Sequence, residues 1–289
     1  MPTVKDVLRD GTRRLVGTPA VDGMTSGRAR WEAQVLLAHV LGHEDPDDLD
    51  PEAGVGAPRE RRFRDLIRRR AGGEPIPHIV GAMDFRGLRL EIRPGAFVPR
   101  QSSEGLVELL VRRLRRRRRP VHVDLATGVG PVALAVAHEV PGAEVHGTDL
   151  LATGLRQARA NARRLGLANV SFHRGDLYAP LPPDLRRRVD AVSIHPPYVP
   201  KDEVGDLPLE IRGYEPEEVL TDHSEHGLGL VERAAEEGLA WLRPGGWMLM
   251  EVSPDRVRAV RGVLQRAGYR DVRSLKAWPE VTRVVAGRA

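Results

Sequence analysis

The stretch Val189-Asp190-Ala191-Val192-Ser193-Ile194-His195-Pro196-Pro197-Tyr198-Val199-Pro200 constrains the fold of this chain more than any other. Its first half is apolar and β-branched and reads as a buried strand. The run stops at two prolines, each of which lacks an N–H and fixes φ. A histidine and a tyrosine therefore stand at the carboxyl end of a strand, on a stiff loop. In open α/β sheets that edge is where ligands bind.

The neighbouring sequence supplies the rest of the sheet. Residues 121–125, 144–149, 170–173 and 247–251 read as further short strands, with helical patterns over 131–139, 155–165, 228–242 and 257–267 between or after them. Residues 272–275 and 281–285 are expected to form a final antiparallel pair. This alternation predicts an α/β chain with a mostly parallel, doubly wound sheet. Upstream, helical faces over 3–16, 28–41 and 58–70 describe a small all-α unit. Prolines and glycines then punctuate short runs such as Leu88-Arg89-Leu90-Glu91-Ile92, the mark of a β-hairpin linker. The expected division is a helical domain at 1–72, a linker at 73–98 and a catalytic domain at 99–289. Ser102 or Ser103 is expected to cap the helix that opens the last of these.

Composition removes several classes of function. The chain has no cysteine, which excludes a disulfide framework, thiolate zinc sites and a cysteine nucleophile. No window approaches about 18 uninterrupted apolar residues, and the first residues show no charged-then-apolar leader. A cytoplasmic protein with no membrane association is expected. His195, His223 and His226 invite a metal site, but nothing fixes their spacing, and no metal is expected. Arg112-Arg113-Leu114-Arg115-Arg116-Arg117-Arg118-Arg119 is a basic run closed by Pro120. It reads as a solvated helix end favoured by the macrodipole, and no aromatic residue interleaves with it to stack bases. A nucleic-acid partner is accordingly not expected.

The first strand of the sheet leads into Asp124-Leu125-Ala126-Thr127-Gly128-Val129-Gly130, where glycines let the backbone approach a ligand closely. Asp149 ends the second strand, where an acid takes ribose hydroxyls. Asp176 follows the third strand, placed to accept from an adenine amino group. Three acids and a glycine loop point to an adenosine ligand. Asp124 beside the loop suits a cationic ligand better than a pyrophosphate, which favours S-adenosyl-L-methionine (AdoMet) over a dinucleotide.

At this point the chain resembles the HemK/PrmC family of class I AdoMet-dependent methyltransferases, which modify a glutamine of peptide release factors. The resemblance rests on Asp124–Gly130, on residues 32–42 of the helical unit, on Phe85-Arg86-Gly87, and on Val98-Pro99-Arg100 with Glu104. It also rests on Pro196-Pro197-Tyr198, Tyr214-Glu215-Pro216 and Gly227-Leu228. It implies a seven-stranded sheet, six strands parallel and one antiparallel, and a substrate-recognition role for the helical unit. It implies AdoMet bound by Asp124, Ala126, Thr127, Gly128, Gly130, Asp149, Leu150, Asp176, Leu177 and His195, with S-adenosyl-L-homocysteine as product. Phe85, Pro99, Arg100, Pro196, Pro197 and Tyr198 are the residues implied to meet the substrate.

The chain departs from the family where the family has Asn-Pro-Pro-Tyr and this sequence has His195. A carboxamide offers an acceptor and a donor in one plane; a neutral imidazole has both, on opposite sides of a ring. Ala126 and Val129 also replace a glycine and a serine in the loop. A decayed site is one reading; a re-purposed one is preferred, with His195 and Tyr198 as the catalytic residues. Histidine's ordinary pKa of about 6.5 suits a general base. The expected function is thus a tailoring enzyme of specialised metabolism acting on a small aromatic or phenolic molecule. In its most concrete form it closes a cyclopropane ring on an adduct supplied by a radical-AdoMet partner, or else transfers a methyl group. The alternative is a release factor glutamine N5-methyltransferase. A nucleic-acid base methyltransferase and a non-enzymatic binding module rank below both.

Overall fold

A computed structural model of the protein describes residues 1–276 and 283–289. In chain order its elements are α1 (Val4–Leu15), α2 (Ser26–Leu41), α3 (Ala57–Ala71), α4 (Ile76–Val80), β1 (Ala82–Phe85), β2 (Leu88–Glu91), α5 (Glu104–Leu114) and β3 (Val121–Leu125). They continue as α6 (Pro131–Glu139), β4 (Glu144–Asp149), α7 (Ala152–Arg164), β5 (Val170–Arg174), β6 (Val189–Ile194) and α8 (Leu209–Arg212). The last are α9 (Gly229–Gly238), β7 (Leu242–Val252), α10 (Val257–Arg266), β8 (Arg270–Lys276) and β9 (Arg283–Arg288). The chain forms two compact units, Met1–Met83 with Gly205–Tyr214, and Asp84–Val204 with Glu215–Ala289.

In the first unit, local chemistry sets the helix ends. Thr3 and Asp6 form a reciprocal capping box on α1, and the Thr25 hydroxyl accepts from the Arg28 N–H to start α2. Gly42, at φ 86°, ends α2 in the left-handed region. Val4, Leu15, Leu36, Leu37, Phe63 and Ile67 close the apolar core. Helix α4 falls in the stretch expected to be hairpin linker. Pro75 stands at its N-cap and Gly81, at φ 81°, stops it. The strand pair that was expected is confined to β1 and β2.

A buried charge cluster ties the segment 205–214 to these helices. Arg70 is 1% exposed, and its guanidinium donates to both Glu32 carboxylate oxygens, at 2.6 and 3.0 Å, and to Glu210 at 2.8 Å. Arg28 bridges the same two carboxylates, at 2.9 Å to Glu32 and 3.1 Å to Glu210. Charges this deep are tolerated only when paired and hydrogen-bonded. The chain thus leaves β6 and enters the helical unit through α8.

In the second unit the seven strands lie in the order β5-β4-β3-β6-β7-β9-β8. β3 to β7 pair in parallel, and β9 is antiparallel to both β7 and β8. Six strands therefore run one way and one the other, as the resemblance implied. β7 starts earlier than its apolar run, at Leu242 instead of 247. Val281 of the expected terminal pair lies outside the described residues. Val123, Leu125, Val192, Ile194, Met248 and Met250 are fully buried in the sheet core. β3 has β4 on one side and β6 on the other, so the strand order reverses there and a crevice opens at its carboxyl end. Among the described residues no helix is long and apolar enough to cross a membrane.

Removing Arg70 leaves Glu32, a carboxylate that is 3% exposed, with Arg28 alone and one of its oxygens unpaired. Arg70→Ala is expected to lower unfolding stability by about 3 kcal/mol, read from urea denaturation. A loss under about 1 kcal/mol would show the cluster to be energetically idle.

Candidate functional site

The crevice is a cleft of about 1100 Å³ counted to its open mouth, wholly within the second unit. Its walls come from the carboxyl ends of β3, β4, β5 and β6 and from the chain before α5.

The cofactor loop follows β3. Asp124 is 3% exposed, and one of its oxygens accepts from the Ser193 hydroxyl and the other from the Thr127 hydroxyl, each at 2.6 Å. Burial pushes its carboxyl up to about 6 against these hydrogen bonds. Ser193 also meets His122 Nε2 at 2.9 Å, and burial pushes His122 down to about 3, so that ring is neutral. Ala126 sits at φ 49°, in the left-handed region, where its Cβ crowds the following carbonyl. Glycine would suit that backbone; alanine holds it under strain. Gly128 and Gly130 have φ of 57° and 81°. The Gly128 N–H donates to Asp149 at 2.8 Å, and the Leu151 N–H donates to its other oxygen at 2.8 Å. Burial pushes Asp149 up as well. Leu150, 59% exposed, offers an apolar face at the mouth.

Most of the expected cofactor residues line the cleft: Asp124, Ala126, Thr127, Gly128, Asp149, Leu150, Asp176, Leu177 and His195. Gly130 is buried behind it, where a Cβ would come within 2.9 Å of the Phe172 ring. Asp176 is engaged by Arg233 at 2.5 Å, an exposed pair that leaves its carboxylate at the rim. Of the expected substrate residues, Pro99, Arg100, Pro196 and Pro197 line the cleft. Phe85 does not; it is fully buried at the end of β1. Tyr198 lies behind His195, the rings stacked at 5.9 Å and 20°.

His195 is the most constrained side chain of the cleft. Phe97 meets its ring edge-on at 5.4 Å, and the Arg100 guanidinium lies 4.4 Å from the Phe97 centroid while pairing with Glu215 at 2.6 Å. His195 Nδ1 faces the Ser103 hydroxyl at 3.3 Å and the Glu251 carboxylate at 3.7 Å. A carboxylate on that side favours the proton on Nδ1 and leaves Nε2 as the accepting nitrogen. Burial pushes the imidazole pKa down; Glu251 opposes this and Arg100 adds to it. The ring is therefore a neutral acceptor and a weaker base than a free histidine. Ser103 stands at the N-cap of α5 as expected but makes no capping hydrogen bond, since its hydroxyl turns to His195, and Ser102 donates to Glu251 at 2.9 Å.

Sequence reasoning assigned no site role to Phe97, Ser103, Ser193 and Glu251. Ser193 and Glu251 carried a signal, each as a polar residue inside an apolar strand. His223 and His226 do not line the cleft; they face Glu217 at 3.6 Å and the Ser224 hydroxyl at 3.3 Å. Gly227, at φ 66°, packs against the Pro-Pro-Tyr backbone so closely that a Cβ would lie 2.3 Å from the Tyr198 carbonyl oxygen.

Two family models match the chain, the PrmC N-terminal domain over residues 6–81 and the methyltransferase small domain over 87–207. The release factor glutamine methyltransferase of Bordetella pertussis is 37% identical, over 90% of this chain and 95% of that protein. Those of Neisseria gonorrhoeae and Moorella thermoacetica are 36% and 34% identical, over 89% and 93% of this chain and 92% of each relative. This likeness overturns the expectation of a tailoring enzyme that closes a ring beside a radical-AdoMet partner. The full-length relatives carry the name of the alternative, glutamine methylation. One histidine at 195 weighs less than likeness along the rest of the chain.

Two outcomes follow from this geometry. A cation in the cleft favours ionised Asp124, whereas the empty site favours its protonated form below about pH 6. Stability from that proton is complete below the ordinary carboxyl range and is lost as pH rises through about 6. AdoMet affinity should accordingly fall as pH drops through about 6, and Asp124→Asn should flatten the profile. Calorimetric affinities that stay constant from pH 7.5 to 5 would refute this. Gly227→Ala must displace the Tyr198 carbonyl, so methyl transfer should fall at least tenfold while the fold, followed by circular dichroism, persists.

Proposed function

We propose, for a chain that belongs to the HemK/PrmC-like family of AdoMet-dependent methyltransferases, that it methylates the side-chain amide nitrogen of a glutamine in a peptide-chain release factor. AdoMet is the methyl donor of this family, and its sulfonium supplies an electrophilic methyl group. The observation that carries the reading is the match to release factor glutamine methyltransferases across the helical unit as well as the cleft.

The residues present fit that cofactor. Asp149, steadied by two backbone N–H groups, would take the ribose hydroxyls, and Leu150 would cover an adenine face. Asp124 would balance the positive charge from beneath the loop, and Asp176 would accept from the adenine amino group at the rim. Residues 1–72 would recognise the release factor, 73–98 would link, and 99–289 would carry out the transfer.

On the acceptor side, Pro196 and Pro197 hold the loop rigid and Tyr198 backs the His195 ring. His195 Nε2 would accept one N–H of the glutamine amide. That aims the nitrogen at the methyl group and contributes by positioning. As the N–CH3 bond formed and the S–CH3 bond broke, the displaced N–H proton would pass to His195 Nε2 and on to solvent. His195 replaces the double grip of a carboxamide with a single hydrogen bond, so Arg100 and Pro99 at the same wall take a larger share of holding the substrate.

The test is transfer of labelled methyl from AdoMet to a bacterial release factor, against the same factor with its acceptor glutamine changed to glutamate. Label should appear only in the first. His195→Ala should lower turnover about tenfold, the worth of one hydrogen bond of roughly 1.4 kcal/mol, and His195→Asn should retain it. No label in the release factor, with AdoMet bound, would overturn the reading.

A further inference from the structure

The arginine run begins in the last turn of α5 and is solvated, as expected, but it runs on past the helix. Helix α5 stops at Leu114, and Arg116, Arg117, Arg118 and Arg119 lie beyond it in the approach to β3. The fold brings two other segments to the same place. Arg187 and Arg188 precede β6, and Arg243 opens β7, so guanidinium groups from three places in the sequence line one cavity. A second cavity adjoins it through Arg116, Arg117, Asp190 and Arg243, and continues past Arg113 to Arg273 and Trp247.

Asp190 is the one carboxylate in the described lining of either cavity, and it is already engaged. It accepts from Arg117 at 3.1 Å, from Arg243 at 2.5 Å and from the Val121 N–H at 2.9 Å. That fixes two guanidinium groups in place, and its single charge is spent on them. Arg188 is held by Asp184 at 2.6 Å and lies 3.8 Å from Glu144, and Arg112 is paired with Glu108 at 2.7 Å. Arg116, Arg118, Arg119 and Arg187 are exposed and have no carboxylate partner among the described residues. Arg119 and Arg187 also hold φ of 50° and 61°, uncommon for residues with a side chain, each two residues before its strand.

Like charges gathered this way repel unless something covers them. One phosphate or one carboxylate cannot neutralise a trough of this extent. Trp247 is flanked by Arg113 at 4.7 Å and Arg273 at 5.4 Å, so its ring is not free to stack a base. The chemistry present is guanidinium forks alone, which suit phosphate oxygens spaced along a chain and carry no base readout.

We infer that this trough is a docking surface for the phosphodiester backbone of a nucleic-acid duplex, bound without sequence preference. It lies at the amino ends of β3, β6 and β7, the sheet edge opposite the cofactor cleft, about 17 Å away along a five-residue strand. The nucleic acid is thus a surface on which the protein rests and not its methyl acceptor. This holds whichever acceptor the cleft takes.

The test is fluorescence anisotropy with the full chain and three probes: a fluorescein-labelled RNA hairpin, a DNA duplex of the same stem sequence, and a poly-glutamate peptide. The hairpin should bind at 50 mM salt, with log affinity falling linearly in log salt. The triple variant Arg116→Glu, Arg118→Glu, Arg187→Glu should weaken it at least tenfold and lower the slope by about 0.7–0.9 per arginine removed. AdoMet binding by that variant should be unchanged, which checks the fold. Reversing Arg61 and Arg62, exposed on α3, should alter duplex binding much less. RNA binding tenfold above DNA assigns RNA; equal binding assigns any duplex. Tighter binding of poly-glutamate, or equal loss in the triple and the α3 variants, would overturn the inference.

Discussion

One buried carboxylate joins the two halves of the cleft. Asp124 on β3 and Ser193 on β6 are register partners in the sheet, and their side chains meet at 2.6 Å. The other Asp124 oxygen holds Thr127 in the glycine loop. The strand that launches the cofactor loop and the strand that carries the acceptor loop are therefore pinned by one group. Leaving a carboxyl where burial pushes it up to about 6 is costly, and a purely structural core would not retain it. A cationic ligand in the cleft would offset that cost. Perturbed groups gather at functional sites for this reason.

His195 stands one residue past the end of β6, and its surroundings decide what it does. Exchange of a carboxamide for an imidazole reads in isolation as a change of chemistry. The fold turns Nδ1 toward Ser103 and Glu251 and lays the ring between Phe97 and Tyr198. Burial then pushes the pKa down. What remains for a substrate is one neutral lone pair, nearer in kind to a carboxamide oxygen than to a strong base. Likeness to glutamine methyltransferases along nearly the whole chain agrees with that reading.

The sheet was legible because its signals are local. The strands β3, β6 and β7 carry short apolar runs, and the turns after β3 to β7 carry glycine, proline or an acid. Asp149 and the glycine loop could be placed for the same reason. Phe85 could not, because an aromatic beside a glycine turn looks alike whether it faces a ligand or a core. Ser103 was read as a cap because its position before α5 allows that. Its real partner, His195, is 92 residues away and was invisible to spacing. The cluster of Arg28, Glu32, Arg70 and Glu210 was hidden likewise, since Glu210 arrives from a segment that the sequence places among the sheet elements.

Arginine shows most clearly how position, and not composition, assigns a role. Arg70 is buried and neutralised by two carboxylates within one unit. Arg100 is held against Phe97 and Glu215 in the wall of the cleft. Arg116, Arg118, Arg119 and Arg187 have neither burial nor a partner among the described residues. The same side chain thus serves packing, positioning and an open field. Parallel strands separate the last two uses: carboxyl ends gather the cofactor and acceptor groups at one edge, and amino ends gather the unpaired cations at the other. An anion docked at the arginine edge is then kept apart from a reaction that begins with a cation, so each field can be strong without weakening the other.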